Sequence, residues 1–135
     1  VCLSEIYKTE LDPRIGFLHE PNYRALSLHL DLAEIFKPIL GDTLIFSMLN
    51  KKEITAKDFQ TDAGRIKFSN DAVQKIELKM IARFGETVSL GGQSITRRQV
   101  IRREANQIKK YICEGAPYEG LVWRWNTACI KQTIK

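Results

Sequence analysis

Residues 26–50 read LSLHLDLAEIFKPILGDTLIFSMLN and form the most apolar part of the chain. The leucines at the start alternate, which leaves a strand as a competing prediction. The segment continues through Ala33 and Ile35 with apolar residues nearly all round, so a buried helix is favoured. Pro38 removes a helix hydrogen bond, and with Gly41 it predicts a kink or two helices that meet there.

Helical patterns also lie on both sides of this segment. Residues 1–10 resemble the tail of a helix, and residues 59–69 suggest a small hairpin. Residues 69–84 carry apolar side chains on one face at helical spacing: Val73, Ile76, Met80 and Phe84. Thr96 to Gln99 has the form of a capping box. It opens a helix to about residue 113 whose buried stripe is predicted to be Ile101, Ala105, Ile108 and Ile112. The predicted fold class is all-α, with one domain over residues 1–135.

Composition indicates a folded protein with a basic charge balance. The 135 residues are 44% hydrophobic and 27% charged, with a formal net charge of +5, which favours nucleic acid or an anionic surface as partner. Three cysteines without a CxxC pair argue against a disulfide framework and suggest a reducing cytoplasm, with Cys113 in the core. No apolar run reaches the length of a membrane span. Because the sequence starts at Val1 inside a helical pattern, we expect a fragment or a processed chain.

His19, Asp31 and Glu34 are the candidate site residues. Asp31 and Glu34 are three residues apart, so they share one face of an apolar helix. Burying two carboxylates there is costly unless a metal ion, an arginine or a lysine compensates them. His19 lies in a loop before this helix, and the mixed nitrogen and oxygen ligands suit Mg²⁺ or Mn²⁺. Such an ion would activate a water or hydroxyl and polarise a phosphodiester.

Structural roles remain open for each of these residues. His19 could bond a backbone carbonyl as an ordinary loop histidine. Asp31 and Glu34 could be paired with arginines. His29 lies on another side of the helix, where packing or surface exposure is expected. No phosphate loop, GxSxG or HExxH motif occurs, which counts against nucleotide hydrolases, serine hydrolases and zinc proteases.

A basic run follows the predicted capping box. It could track DNA phosphates, although a solvated helix face is the commoner explanation. Glu104 interrupts it. The candidate DNA-binding residues are Arg97, Arg98, Arg102, Arg103, Lys109 and Lys110.

Residues 11–20, LDPRIGFLHE, and residues 27–38, SLHLDLAEIFKP, resemble the CRISPR-associated spacer integrase, the Cas-one family. That family reads approximately LDPxxGFLH, a gap, and then SLxxDLxExxRP. The resemblance is dense over about forty residues at fixed spacing. It departs at Glu10, where glycine is usual, and at Lys37, where arginine is usual.

The resemblance implies a role for each candidate residue. His19 falls on the family's metal-binding histidine, Glu34 on its acidic metal ligand, and Asp31 on a nearby acid needed for activity. The family has a further glutamate ligand upstream, which this sequence does not contain, so this chain alone is expected to be inactive.

The resemblance also implies an architecture and partners. The chain would be most of the C-terminal helical domain, after an N-terminal β-rich domain. The family cuts linear and branched DNA and joins protospacer ends into the CRISPR repeat. It acts as dimers bridged by a small companion protein, Cas-two. The alternatives are a non-catalytic helical DNA-binding module and a structural dimerisation domain.

Overall fold

The computed structural model describes residues 1–19, 26–121 and 123. Its elements, in chain order, are α1 (Cys2–Ile6), α2 (Leu28–Phe36), a π-helical turn (Lys37–Asp42), α3 (Thr43–Asn50), a 3-10 turn (Ala56–Asp58), β1 (Phe59–Asp62), β2 (Arg65–Phe68), α4 (Asn70–Gly85), β3 (Thr87–Leu90), β4 (Gln93–Thr96) and α5 (Arg97–Glu114). Helices dominate, as predicted, but a strictly all-α class is not confirmed, because two antiparallel hairpins are present.

The apolar segment at residues 26–50 is helical, and its predicted interruption takes the form of one π-helical turn. Pro38 stands at the start of that turn. Because proline has no N–H to donate, the α-helical hydrogen-bond pattern fails there and a wider turn replaces it. The Thr43 hydroxyl donates to the Ile39 carbonyl at 2.7 Å and joins the turn to α3.

Two apolar clusters hold the elements together. The larger one joins α1, α2, the π-helical turn and α5 through buried side chains that include Ile6, Leu32, Phe36 and Ile101. The smaller one consists of Leu44, Met48 and Ile54, with side chains of α4 packed against it. None of the described helices is long and apolar enough to cross a membrane.

The two hairpins have the same turn geometry. β1 and β2 are joined through Ala63 and Gly64, which have φ values of 47° and 75°, and this hairpin was predicted. β3 and β4 are joined through Gly91 and Gly92, with φ values of 59° and 79°. Two consecutive residues with positive φ match the type I′ turn that suits the twist of paired strands. The sequence predicted no hairpin at the second pair.

Both long helices begin where the sequence predicted. The Ser69 hydroxyl accepts from Ala72 N at the start of α4, and Thr96 and Gln99 form a complete capping box at the start of α5. Two side chains near the end of α5 differ from expectation. Ile112 is exposed instead of buried, and Cys113 is exposed instead of part of the core. The last turn of α5 extends beyond the apolar cluster that buries Ile101 and Ile108.

Candidate metal centre

A short loop at residues 16–19 packs against the N-terminal end of α2. The Ser27 hydroxyl accepts from Gly16 N at 2.8 Å and donates to the Arg14 carbonyl at 2.8 Å. A Cβ on Gly16 would stand 2.6 Å from Asp31 Oδ2 and 2.7 Å from Ser27 Oγ. Only glycine therefore lets the loop approach the helix this closely.

The Asp31 carboxylate lies in the first turn of α2 and accepts hydrogen bonds from this loop. Oδ2 accepts from Phe17 N at 2.6 Å and from Leu18 N at 3.2 Å. Oδ1 accepts from His19 N at 3.1 Å and lies 2.6 Å from His19 Nδ1. The side chain of Asp31 has no exposed surface. One buried carboxylate thus satisfies three consecutive backbone N–H groups and one imidazole nitrogen.

The charge on Asp31 is set by two opposing effects. Burial acts to raise the pKa of its carboxyl, but the hydrogen bonds from His19 and from the three backbone N–H groups outweigh burial and lower the pKa overall. A carboxylate that accepts several N–H bonds is stabilised in its charged form. Asp31 is therefore an anion at neutral pH.

His19 and Glu34 are the two candidate site residues whose side chains are partly exposed. The side chain of His19 is 41% exposed, and its Nδ1 is engaged by Asp31. The side chain of Glu34 is 46% exposed and has one long contact, 3.5 Å, to Lys37 Nζ. An imidazole nitrogen and a carboxylate oxygen form a donor set that fits Mn²⁺ or Mg²⁺. Within the described residues, no group of three or more His, Cys, Asp or Glu could hold a metal ion.

A groove of about 650 Å³ contains both acidic residues of α2 in its lining. The rest of the lining is apolar or aromatic and comes from the loop, from α2, from α5 and from the segment after α5: Phe17, Leu18, Ile35, Ile108, Tyr111, Ile112 and Tyr118. In the described part of the chain, Ile112 borders this open groove, and its side chain is therefore exposed.

The structure separates the predicted site residues by burial. Asp31 is compensated by backbone N–H groups and His19, not by the arginines considered as partners. Glu34 was expected to be buried beside it, but it is exposed at the surface of α2. His29 is partly buried, and its Nδ1 has no hydrogen-bond partner among the described residues.

Two of the candidate DNA-binding arginines contact a buried acid. Glu5 in α1 has no exposed side-chain surface and accepts from Arg98 Nε at 3.0 Å, from Arg102 Nε at 2.7 Å and from Lys8 Nζ at 2.8 Å. Burial acts to raise the pKa of Glu5, but the bonds to Arg102, Lys8 and Arg98 lower it to about 2. Three cations around one anion leave net positive charge at this end of α5.

The other basic residues of α5 divide into paired and unpaired groups. Arg97 pairs with Glu86 at 3.2 Å, and Lys109 pairs with Glu10 at 3.1 Å. Arg103 and Lys110 have no acidic partner in the described part of the chain. They line a polar groove of about 410 Å³ with Gln99, Arg102, Asn106 and Gln107. Glu104 does not interrupt this face, because it is buried and accepts from the Tyr118 hydroxyl.

Sequence reasoning missed Ser27, Gly16 and Glu5. Ser27 and Gly16 are separated by 11 positions, and Glu5 meets Arg98 and Arg102 at separations of 93 and 97. Pairs at such separations follow no helix or strand period, so the sequence offers no local signal for them. The one usable signal was Gly16 itself, a glycine between a turn and the candidate histidine.

Comparisons with known proteins indicate the family to which this chain is similar. The family model described as CRISPR associated protein Cas1 matches residues 1–80. A CRISPR-associated endonuclease Cas1 of Thermodesulfovibrio yellowstonii is 40% identical over 126 residues, which are 92% of this chain and 38% of that protein. A Clostridium perfringens protein named CRISPR-associated endonuclease Cas1 is 38% identical over 91% of this chain and 38% of its own length.

Solved structures agree with these relatives. A Cas1 protein from Thermotoga maritima superposes with a TM-score of 0.74 and 34% identity, over 82% of this chain and 34% of that one. A casposase bound to integration product gives a TM-score of 0.73 and 28% identity, over 85% of this chain and 34% of that one. The chain therefore spans less than two fifths of the length of these relatives. The matches to the family model and to full-length relatives show that this chain belongs to the Cas1 family.

Proposed function

We propose that this chain is part of a metal-dependent DNA endonuclease and integrase that inserts protospacer DNA into a CRISPR array. The observation that carries the proposal is the arrangement of loop 16–19 on α2. It leaves His19 and Glu34 with available donor atoms beside a carboxylate that is fully occupied by the loop. Membership in a family whose relatives are named endonucleases supports the same reading.

His19 and Glu34 are the residues that would hold the divalent ion, Mg²⁺ or Mn²⁺. When bound, such an ion lowers the pKa of a water or hydroxyl and stabilises charge on a phosphodiester under attack. His19 would offer the ring nitrogen that faces away from Asp31, and Glu34 a carboxylate oxygen. Two donors do not complete a coordination shell, so the ion would need ligands besides these two described residues, water among them.

The DNA backbone is proposed to lie along α5. Arg103 and Lys110 support this role best, because they are free of acidic partners among the described residues and share one polar groove. Arg98 and Arg102 would add positive charge while Glu5 holds them in place. Attraction of this kind is independent of sequence and weakens as salt is raised.

The proposed partners extend beyond this chain. They are double-stranded and branched DNA, a second copy of the protein, and a small companion protein, with the cytoplasm as the proposed location. The similar fold of a casposase bound to integration product supports DNA joining as the reaction class. The alternative function is a non-catalytic module, which would bind DNA through the basic face of α5 or dimerise through the apolar segment at residues 26–50.

The test uses a polypeptide of full family length that contains this chain. His19→Ala is expected to abolish strand joining with Mn²⁺ or Mg²⁺ while DNA affinity stays within about twofold, because the loop imidazole serves the metal and not the DNA backbone. His29→Ala is the matched control and is expected to keep joining activity. Arg103→Ala with Lys110→Ala is expected to weaken DNA binding and to reduce its salt dependence by about two phosphate contacts. Normal joining by His19→Ala would refute the role of His19 in the proposed metal site, and absence of joining by the unsubstituted protein would favour the binding module.

A further inference from the structure

We propose that Asp31 is a positioning residue and not a metal ligand: it fixes His19 as the tautomer protonated on Nδ1, so that the Nε2 lone pair faces outward. Metal binding by that lone pair rests on the proposed function. The tautomer itself depends only on contacts within this chain.

The hydrogen bonds around Asp31 require it to act as an acceptor. Backbone N–H groups can only donate, and the carboxylate receives three of them: His19 N on Oδ1, and Phe17 N and Leu18 N on Oδ2. Several such bonds favour the charged, acceptor-only form of a carboxylate. His19 Nδ1, which lies 2.6 Å from Oδ1, must therefore be the donor of that contact.

The remaining ring nitrogen follows from the composition of the imidazole. A neutral imidazole carries one N–H and one lone pair, so a proton on Nδ1 leaves the lone pair on Nε2. Carboxylates commonly orient metal-binding histidines in this way, through the nitrogen that does not face the ion. The side chain of His19 keeps 41% of its surface exposed, which leaves room for a ligand at the ring.

Direct metal binding by Asp31 would break this arrangement. Each oxygen already accepts at least one backbone N–H in a site with no exposed side-chain surface. Turning an oxygen toward an ion would leave buried N–H donors without an acceptor, at a cost of about 1–3 kcal/mol for each donor. Glu34 accepts no backbone N–H group that would lose its acceptor on metal binding. Its only polar contact among the described residues is the 3.5 Å contact to Lys37.

Asp31→Asn distinguishes the two roles because an amide has one acceptor and one donor end. Its oxygen is expected to stay where Oδ2 is, because there it accepts from both Phe17 N and Leu18 N, whereas an NH₂ group at the place of Oδ1 leaves only the His19 N–H without an acceptor. Its NH₂ group then faces His19 Nδ1 and can only donate to it. The substitution is therefore expected to move the ring proton to Nε2, on the side where a metal would bind.

The first measurement is the ring tautomer by ¹⁵N NMR of the metal-free 135-residue chain, in alkaline solution where imidazoles are neutral. The sequence has two histidines, and His29→Ala assigns the signals of His19. We expect a protonated Nδ1 in the unsubstituted chain and a protonated Nε2 in Asp31→Asn. A protonated Nε2 in the unsubstituted chain, or an unchanged tautomer in Asp31→Asn, would overturn the proposal.

Ser27→Ala is the matched control for loss of loop order. It removes the bonds to Gly16 and Arg14 but touches neither ring nitrogen, so the Nδ1–H tautomer is expected to persist. If Ser27→Ala changes the tautomer as Asp31→Asn does, loop order and not Asp31 selects it, and the proposal fails. Thermal unfolding of each variant verifies that it is folded.

A second measurement connects the tautomer to the metal. In the family-length polypeptide, Asp31→Asn is expected to weaken Mn²⁺ binding by about 10–100-fold in calorimetry, as loss of a histidine-orienting partner does. Unchanged affinity would contradict the positioning role. The unsubstituted protein could show the expected tautomers and still fail to bind Mn²⁺. That result would count against the proposed function, but Asp31 would still be the residue that selects the His19 tautomer.

Discussion

At the scale of single residues, the candidate site depends on a glycine that has no chemical group of its own. Gly16 lies so close to α2 that a Cβ would stand 2.6 Å from Asp31 Oδ2 and 2.7 Å from Ser27 Oγ. The same two side chains hold the loop that carries His19. A methyl group at Gly16 would therefore displace the acceptors on which the loop depends.

Gly16→Ala is expected to lower the free energy of unfolding by about 1–3 kcal/mol, the usual cost of forcing extra volume into a packed site. Gly41→Ala is the matched control, since a Cβ at Gly41 would have no neighbour within 4 Å. Urea unfolding of the two variants measures the difference. Equal stabilities would show that the loop does not approach α2 as closely as described.

The candidate side chains could be identified from the sequence, but the sequence did not show which acid is buried and which is exposed. The spacing of Asp31 and Glu34 predicted one shared helix face, and His19 was placed in the preceding loop. Which acid is buried depends on where loop 16–19 contacts α2, and this is set by Ser27 and Gly16. No periodic pattern encodes a contact between a loop and a helix.

At the scale of elements, Glu5 connects α1 to α5. Its buried carboxylate is bonded to Arg98 and Arg102 across more than ninety positions of sequence. Its pKa of about 2 lies below the ordinary value of 4.5, so the folded state stabilises the charged form. The resulting stability is fully present above pH 4.5 and is lost as the pH falls toward about 2.

Glu5→Gln is expected to lower the free energy of unfolding at neutral pH by about 2–3 kcal/mol. The full pKa shift corresponds to slightly more, but Arg98 and Arg102 are half-exposed and solvent screens them. Urea unfolding at several pH values measures this. The gap between the two proteins should narrow as the pH falls from 4.5 toward about 2.

Glu77→Gln is the control for Glu5→Gln, because Glu77 is exposed on α4. It is expected to leave stability nearly unchanged at every pH. A constant gap between Glu5→Gln and the unsubstituted chain, from neutral to acid, would contradict the account of the buried acid.

The elements were predictable where the sequence carries capping or turn residues at fixed offsets. Ser69, Thr96 and Gln99 marked the starts of α4 and α5, and both starts are confirmed. The β3–β4 hairpin was missed although Gly91 and Gly92 allow its turn, and strand length does not explain the difference, since the strands of both hairpins have four residues each. Ile112 continued the apolar period of α5 past the end of the core, which a periodic pattern cannot reveal.

At the scale of the whole molecule, the acidic face of α2 and the basic face of α5 line different grooves. The groove at α2 has two carboxylates in an otherwise apolar or aromatic lining, and the groove at α5 contains Arg102, Arg103 and Lys110. Of the two acids in the first groove, only Glu34 can offer an exposed carboxylate, because the Asp31 carboxylate is buried and bonded to loop 16–19. The second groove is positive and polar, which favours phosphates. In the proposed function, the metal ion and the DNA backbone would therefore occupy different places.

Mn²⁺ calorimetry on the family-length polypeptide tests whether His19 and Glu34 hold one divalent ion. We expect His19→Ala and Glu34→Ala each to weaken Mn²⁺ binding by at least about tenfold, since each removes a ligand atom. The matched controls His29→Ala and Glu77→Ala should bind as the unsubstituted protein does. Mn²⁺ affinity that survives both His19→Ala and Glu34→Ala, or no Mn²⁺ binding by the unsubstituted protein, would show that these two residues do not form the proposed metal site.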